Sequence, residues 1–157
     1  MKCCIVSSYP VSEFGKQTFF IGADIDETQD NKDEKIYLYA KPYINLNECY
    51  TWIITNNQII DPKTNLVWDL ESGISNDNKA ILWIRNGLPS QDFYLTDEQA
   101  FRVYIPNSED LASFCLGIEK TSSILMPTLD HKTTKYLSLQ PFTGSSSQKW
   151  KLVTPAK

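Results

Sequence analysis

The sequence predicts an all-β domain made of three repeated units around a pseudo-threefold axis, each unit carrying several short strands. Three observations predict it. An aromatic-ending triplet recurs at Tyr50-Thr51-Trp52, Gln91-Asp92-Phe93 and Gln148-Lys149-Trp150. A short run rich in apolar and aromatic residues precedes each triplet, and a second run closing on an acidic residue precedes that. Amphipathic helix periodicity, apolar residues at i, i+3, i+4 and i+7 over about eleven residues, occurs nowhere. A unit of this length cannot bury its apolar face alone, so the units must share one core.

The elements follow in the same order three times. The first unit has IGADID at 21–26, IYLYA at 36–40 and the triplet ending in Trp52. The second has LVWDLE at 66–71, AILWI at 80–84 and the triplet ending in Phe93. The third has FCLGIE at 114–119, YLSLQ at 136–140 and the triplet ending in Trp150. Each closing aromatic starts an alternating run (WII, FYL, WKL) whose first and third residues face a core. Turn residues, TNNQ and TDEQ, follow the first two. In this reading Asp24, Asp69 and Gly117 hold the same place, about 45 to 48 positions apart. The subdomain boundaries fall at about 1–54, 55–97 and 98–157. The third unit carries additional residues, expected as a long surface loop at 120–135.

Composition excludes several classes. The 15 Lys+Arg against 19 Asp+Glu leave no excess of positive charge for a nucleic-acid partner. No apolar run approaches the roughly 18–20 residues that span a bilayer, so membrane insertion is not expected. The first residues, MKCCIVSSYPVSEF, lack the apolar stretch of about 7–15 residues of a signal peptide. Cys3, Cys4, Cys49 and Cys115 fit no C-x-x-C spacing and read as reduced thiols; Cys4–Cys49 or Cys3–Cys115 bridges in a secreted chain are the alternative. No Asn-x-Ser/Thr glycosylation acceptor occurs. The expectation is a cytoplasmic protein, or one exported without a signal peptide.

The triplets resemble the Q-x-W repeats of the ricin-B-type (R-type) β-trefoil lectins, over nearly the whole chain. The second unit, LVWDL…AILW…SQDF, is the nearest match; the first is looser, and the third keeps the core positions but lacks the Asp. The resemblance implies a β-trefoil, and a function in binding galactose-type glycans or glycoproteins without enzymatic activity or cofactor. Physically, a shallow sugar site needs a carboxylate for two hydroxyls, a ring for the apolar face of the sugar, and a nearby amide. By the resemblance, the second unit offers Asp69 and Trp83, with Ser90 at the amide place, Asn86 as a substitute amide and Gln91 of the triplet. The first offers Asp24 and Tyr39, with Tyr37 two residues before the ring, Cys49 at the amide place and Asn47 nearby. Gly117 and Gln140 replace both recognition groups in the third, which is therefore not expected to bind sugar in this manner. With two sites a monomer is already bivalent, and a homodimer would add more.

Catalytic and metal patterns are scarce. The lone His131 lies in the expected loop, and residues 26–34 (DETQDNKDE) are acidic without the spacing of a calcium loop. The alternative function is a trefoil acting on a protein, as a protease inhibitor, through the Pro127-stiffened loop at 120–135.

Overall fold

The computed structural model describes residues 1–23, 35–74, 77–103, 114–120 and 134–155. Those residues form twelve strands and short 3-10 turns, with no α-helix among them. Strands β1 (Lys2–Ser7), β2 (Phe19–Ala23), β3 (Ile36–Pro42) and β4 (Thr51–Thr55) come first. They are followed by β5 (Gln58–Ile60), β6 (Val67–Leu70), β7 (Ala80–Trp83) and β8 (Phe93–Leu95). The last four are β9 (Phe101–Val103), β10 (Phe114–Ile118), β11 (Lys135–Pro141) and β12 (Trp150–Val153).

Two layers result. β1 pairs with β4 and β12, β4 with β5, and β8 with β9, all antiparallel, which builds a barrel-like layer. The turn after β4 places two residues at positive φ, Asn56 and Asn57, a backbone state Asn tolerates and tight hairpins require. Its Asn57 carbonyl then accepts from Phe93 N at 2.8 Å, and the Gln99 carbonyl accepts from Trp150 N at 2.8 Å in the same way. These two bonds tie β8 and β12 to the turns that precede them in the barrel.

The second layer is a cap of three hairpins, β2–β3, β6–β7 and β10–β11. Gly22 faces Tyr39, Asp69 faces Ile81 and Gly117 faces Ser138 within them. Between hairpins, Tyr37 faces Ile81, Lys79 faces Ser138 and Tyr136 faces Tyr39. The same register thus recurs three times and closes on itself. It makes Gly22, Asp69 and Gly117 equivalent, so Gly22 takes the place that the sequence pattern gave to Asp24. Asp24 itself, the acidic stretch 26–34 and most of the loop at 120–135, with His131, lie outside the described residues.

The core lies between the layers. Trp52, Phe93 and Trp150 are each 1% exposed or less, as their place at the head of alternating strands demands. Trp52 Nε1 donates to the Ile21 carbonyl at 2.8 Å, and Trp150 Nε1 to the Leu116 carbonyl at 3.3 Å. The second unit inverts this arrangement. Phe93 has no donor, and an indole stands instead at position 68, equivalent to Ile21 and Leu116. Trp68 packs edge-on against Trp52, Phe93 and Phe101 with centroids 5.4 to 5.6 Å apart. Its Nε1 is buried and has no hydrogen-bond partner.

All four cysteines are free. Burial pushes the Cys3 thiol up to about 11, and Cys49 and Cys115 up to about 12, from an ordinary value of 9.0. Their folded state holds the proton more tightly than the unfolded chain does. This contribution to stability is full below about pH 9 and disappears as pH rises from there towards 12. Urea denaturation at pH 8 and pH 11 is expected to show a lower midpoint at pH 11. Alkylation of the native protein at pH 8 should be far slower than that of the unfolded chain.

Candidate functional site

The second unit brings Asp69 and Trp83 together. They line one cavity of about 240 Å³ with Lys35, Leu70, Glu71 and Ile81. Asp69 lies on β6 opposite Ile81, and Trp83 on β7 opposite Val67, so hairpin pairing fixes both. Asp69 as a residue is 5% exposed. One oxygen, Oδ1, accepts from the Leu70 amide at 2.7 Å, and Oδ2 accepts from Gln91 Nε2 at 3.1 Å. Each carboxylate oxygen has a second lone pair, so the group retains acceptor capacity.

Gln91 positions rather than contacts. It is fully buried, and its Nε2 also donates to the Ile84 carbonyl at 2.9 Å while Oε1 accepts from the Asn86 amide at 2.9 Å. All of its hydrogen-bonding groups are used in holding the 84–91 loop and aiming Asp69. The sequence reading names Gln91 among the sugar-site residues, and the structure places it behind Asp69 rather than at the cavity surface. Asn86 is likewise engaged locally, its Oδ1 accepting from Leu88 N at 2.9 Å. Ser90 lies in the 3-10 turn Pro89–Gln91 and does not line this cavity.

Two lining residues escaped the sequence reading. Glu71 follows Asp69 by two and stands 3.7 Å from Lys35 of the preceding unit. In the third unit the equivalent acid, Glu119, also pairs with a lysine of the preceding unit, Lys79 at 3.3 Å, which stands at the place of Tyr37. The available signal was the acidic residue closing both runs, LVWDLE and FCLGIE. Tyr37 belongs to this region rather than to a first-unit site. Burial, and then its bond to Glu71, push its hydroxyl up to about 12, and its ring lies 5.1 Å from that of Tyr136.

The first unit departs from the expected geometry. Tyr39 stands at the place of Ile81, and the place of Trp83 is taken by Lys41. The Tyr39 ring lies over Gly22, where a Cβ would come within 2.7 Å of Oη. An aspartate at that position and this ring position exclude each other. Asn47 sits on the exposed 3-10 turn Leu46–Glu48 and lines none of the cavities described here. Tyr50 replaces the triplet Gln and donates instead to Asp61 Oδ1 at 2.6 Å. Tyr39, Cys49 and Tyr50 share a separate cavity of about 470 Å³ with Phe20, Lys2 and Lys63.

In the third unit, neither carboxylate nor ring stands at the equivalent places. Gln148 repeats the loop contacts of Gln91, donating to the Pro141 carbonyl at 2.9 Å and accepting from Thr143 N at 2.9 Å. Where Gln91 finds Asp69, Gln148 Nε2 finds Gln140 Oε1 at 3.0 Å. Gln140 folds into space left by Gly117, and any Cβ there would overlap its amide. The cavity beside it is large, about 670 Å³, with the charged or polar residues Glu13, Lys79, Glu119 and Gln140 among its lining.

No family model matches the sequence, and no curated protein does. Solved structures match the fold. The mdaA-1 domain superposes with a TM-score of 0.65 at 15% identity, over 100% of this chain and 91% of that one. The C-half of an earthworm R-type lectin, in complex with GalNAc, gives 0.56 at 10% identity over 96% of both chains. The Macrolepiota procera ricin B-like lectin, in complex with lactose, gives 0.55 at 14% identity over 99% of this chain and 96% of that one. At these identities the likeness is one of fold.

Proposed function

We propose that the chain is a β-trefoil carbohydrate-binding protein of the ricin-B type, a single domain of three subdomains at about 1–54, 55–97 and 98–157. It binds a galactose-type sugar of a glycan or glycoprotein at Asp69 and Trp83. The observation that carries this reading is the Asp69 carboxylate, held by Gln91 in the same shallow cavity as the half-buried Trp83 ring. Two sugar hydroxyls donate to the carboxylate, and the apolar face of the sugar lies on the indole. The lectins of shared fold, one seen with GalNAc and one with lactose, support the ligand class. With Gly22 and Lys41 at the equivalent places of the first unit, and Gly117 and Gln140 at those of the third, one site of this kind stands among the described residues. Useful avidity then requires a homodimer, with both sites engaging a clustered glycan.

Tryptophan fluorescence tests this directly. Trp52, Trp68 and Trp150 are 0% exposed, which leaves Trp83 as the indole open to acrylamide. Lactose or GalNAc is expected to protect that fraction from quenching in a saturable manner, and glucose to protect it less. A quenching curve unchanged by either galactose-type sugar would overturn the proposal.

A further inference from the structure

We infer that Glu71 is a specificity-determining residue of the Asp69–Trp83 cavity, and that the ligand preferred there is a galactose-type amino sugar carrying a free ammonium group. The inference rests on the sugar-binding reading above and names the class of sugar. The cavity, about 240 Å³, lies below the range of about 300–1,000 Å³ usual for drug-sized ligands, and so suits a single sugar ring.

Charge decides the class. Among the residues lining the cavity, Asp69 and Glu71 carry negative charge and Lys35 carries positive charge. The partners of Asp69, Leu70 N and Gln91 Nε2, are neutral donors, so its charge is held but not cancelled. Lys35 stands 3.7 Å from Glu71 Oε1, beyond hydrogen-bond range. Its side chain is 52% exposed, so water and salt screen much of its charge. The Tyr37 hydroxyl bonded to Glu71 is a neutral donor too, and leaves that carboxylate charged. Two carboxylates against one screened ammonium leave the cavity negative, which favours a positive ligand group over a neutral one.

Position gives Glu71 its part. Asp69 and Glu71 are two residues apart, so their side chains leave an extended chain on the same face. The Glu71 amide donates to the Lys79 carbonyl at 2.9 Å, which carries the hairpin pairing one step past β6. Glu71 Oε2 is buried and has no hydrogen-bond partner. A buried acceptor without a donor costs free energy that a ligand N–H recovers. The side chain is 24% exposed and its terminal torsion is soft, so this oxygen can turn to the cavity. An ammonium offers three donors and a charge, where a hydroxyl offers one donor. The half-buried Trp83 ring adds an attraction for a cation near its face. N-acetylation removes the charge and leaves one N–H, so GalNAc is expected to be the weaker ligand.

Calorimetric titration of the whole chain with galactosamine, galactose and GalNAc provides the test, at about pH 6, where the amine is charged. Galactosamine is expected to bind about tenfold more tightly than either neutral sugar, and the difference to shrink in about 0.5 M salt. Glu71→Gln keeps the shape of the side chain and should bring the three sugars to within about twofold of one another. Lys35→Gln removes the competing ammonium from an exposed position and should strengthen galactosamine by about threefold. Equal affinities in the native chain, a preference that survives in Glu71→Gln, or galactosamine binding weakened by Lys35→Gln would each overturn the inference. Binding of all three sugars without preference leaves sugar binding at Trp83 standing while this inference falls, and binding of none removes both.

Discussion

Trp52→Ala is expected to destabilise the fold by about 3–5 kcal/mol, the range for removing a large buried aromatic. The indole is 0% exposed and touches both Trp68 and Tyr50, so its removal leaves a void in the centre of the core. It also leaves the Ile21 carbonyl without the donor it now has at 2.8 Å. For a chain of this size the loss corresponds to a fall in Tm of roughly 6–20 °C, at about 2–4 °C per kcal/mol. Two milder variants separate the contributions. Trp52→Phe keeps most of the ring but loses the hydrogen bond, and should fall between Ala and the native residue. Trp68→Phe removes a buried N–H that has no partner, so part of the packing lost is offset, and its effect should be smaller than that of Trp52→Phe. Urea midpoints at unchanged m-value measure all three. A Trp52→Ala stability within about 1 kcal/mol of the native value would contradict the anchor role.

Asp69→Asn is expected to abolish sugar binding and to weaken the fold at the same time. The carboxylate oxygens both accept, one from Leu70 N and one from Gln91 Nε2. An amide of the same shape has only one acceptor, so its NH2 must face an N–H donor. Disturbing one such buried contact costs about 1–3 kcal/mol. On the ligand side, two hydroxyls lose a charged acceptor, which implies about a hundredfold weaker binding or more. Trp83→Ala provides the contrast. Its ring is half-buried and makes no core anchor, so binding should fall by about tenfold with little change in stability. Calorimetric titration with GalNAc alongside urea denaturation reads both quantities. Native-like affinity in Asp69→Asn would remove the carboxylate from the site.

The anchors were legible because a large ring at the head of an alternating strand has one place to go. Trp52, Phe93 and Trp150 could be read from the sequence for that reason, and so could the pairing of Asp69 with Trp83, which share one hairpin. The first unit was not legible for an equally physical reason. A slip of two residues along a strand keeps every side chain on its own face, so alternation cannot distinguish Gly22 from Asp24, or Lys41 from Tyr39. Only the pairing of Gly22 with Tyr39 decides it. The Lys35–Glu71 and Lys79–Glu119 pairs were hidden differently. Each joins two units, and no local pattern reports which unit lies beside which.

The exchange at Gly117 also constrains how this protein can change. An aspartate at 117 would meet the folded-in Gln140 amide, so that side chain must swing out of the space beside Gly117 to admit it. Replacing Gln140 first takes away the acceptor that Gln148 Nε2 now holds at 3.0 Å. Either single step is unfavourable, and only the pair together would reproduce the arrangement of the second unit. The third unit therefore differs from its neighbour at two coupled positions, 117 and 140, whose side chains compete for one space.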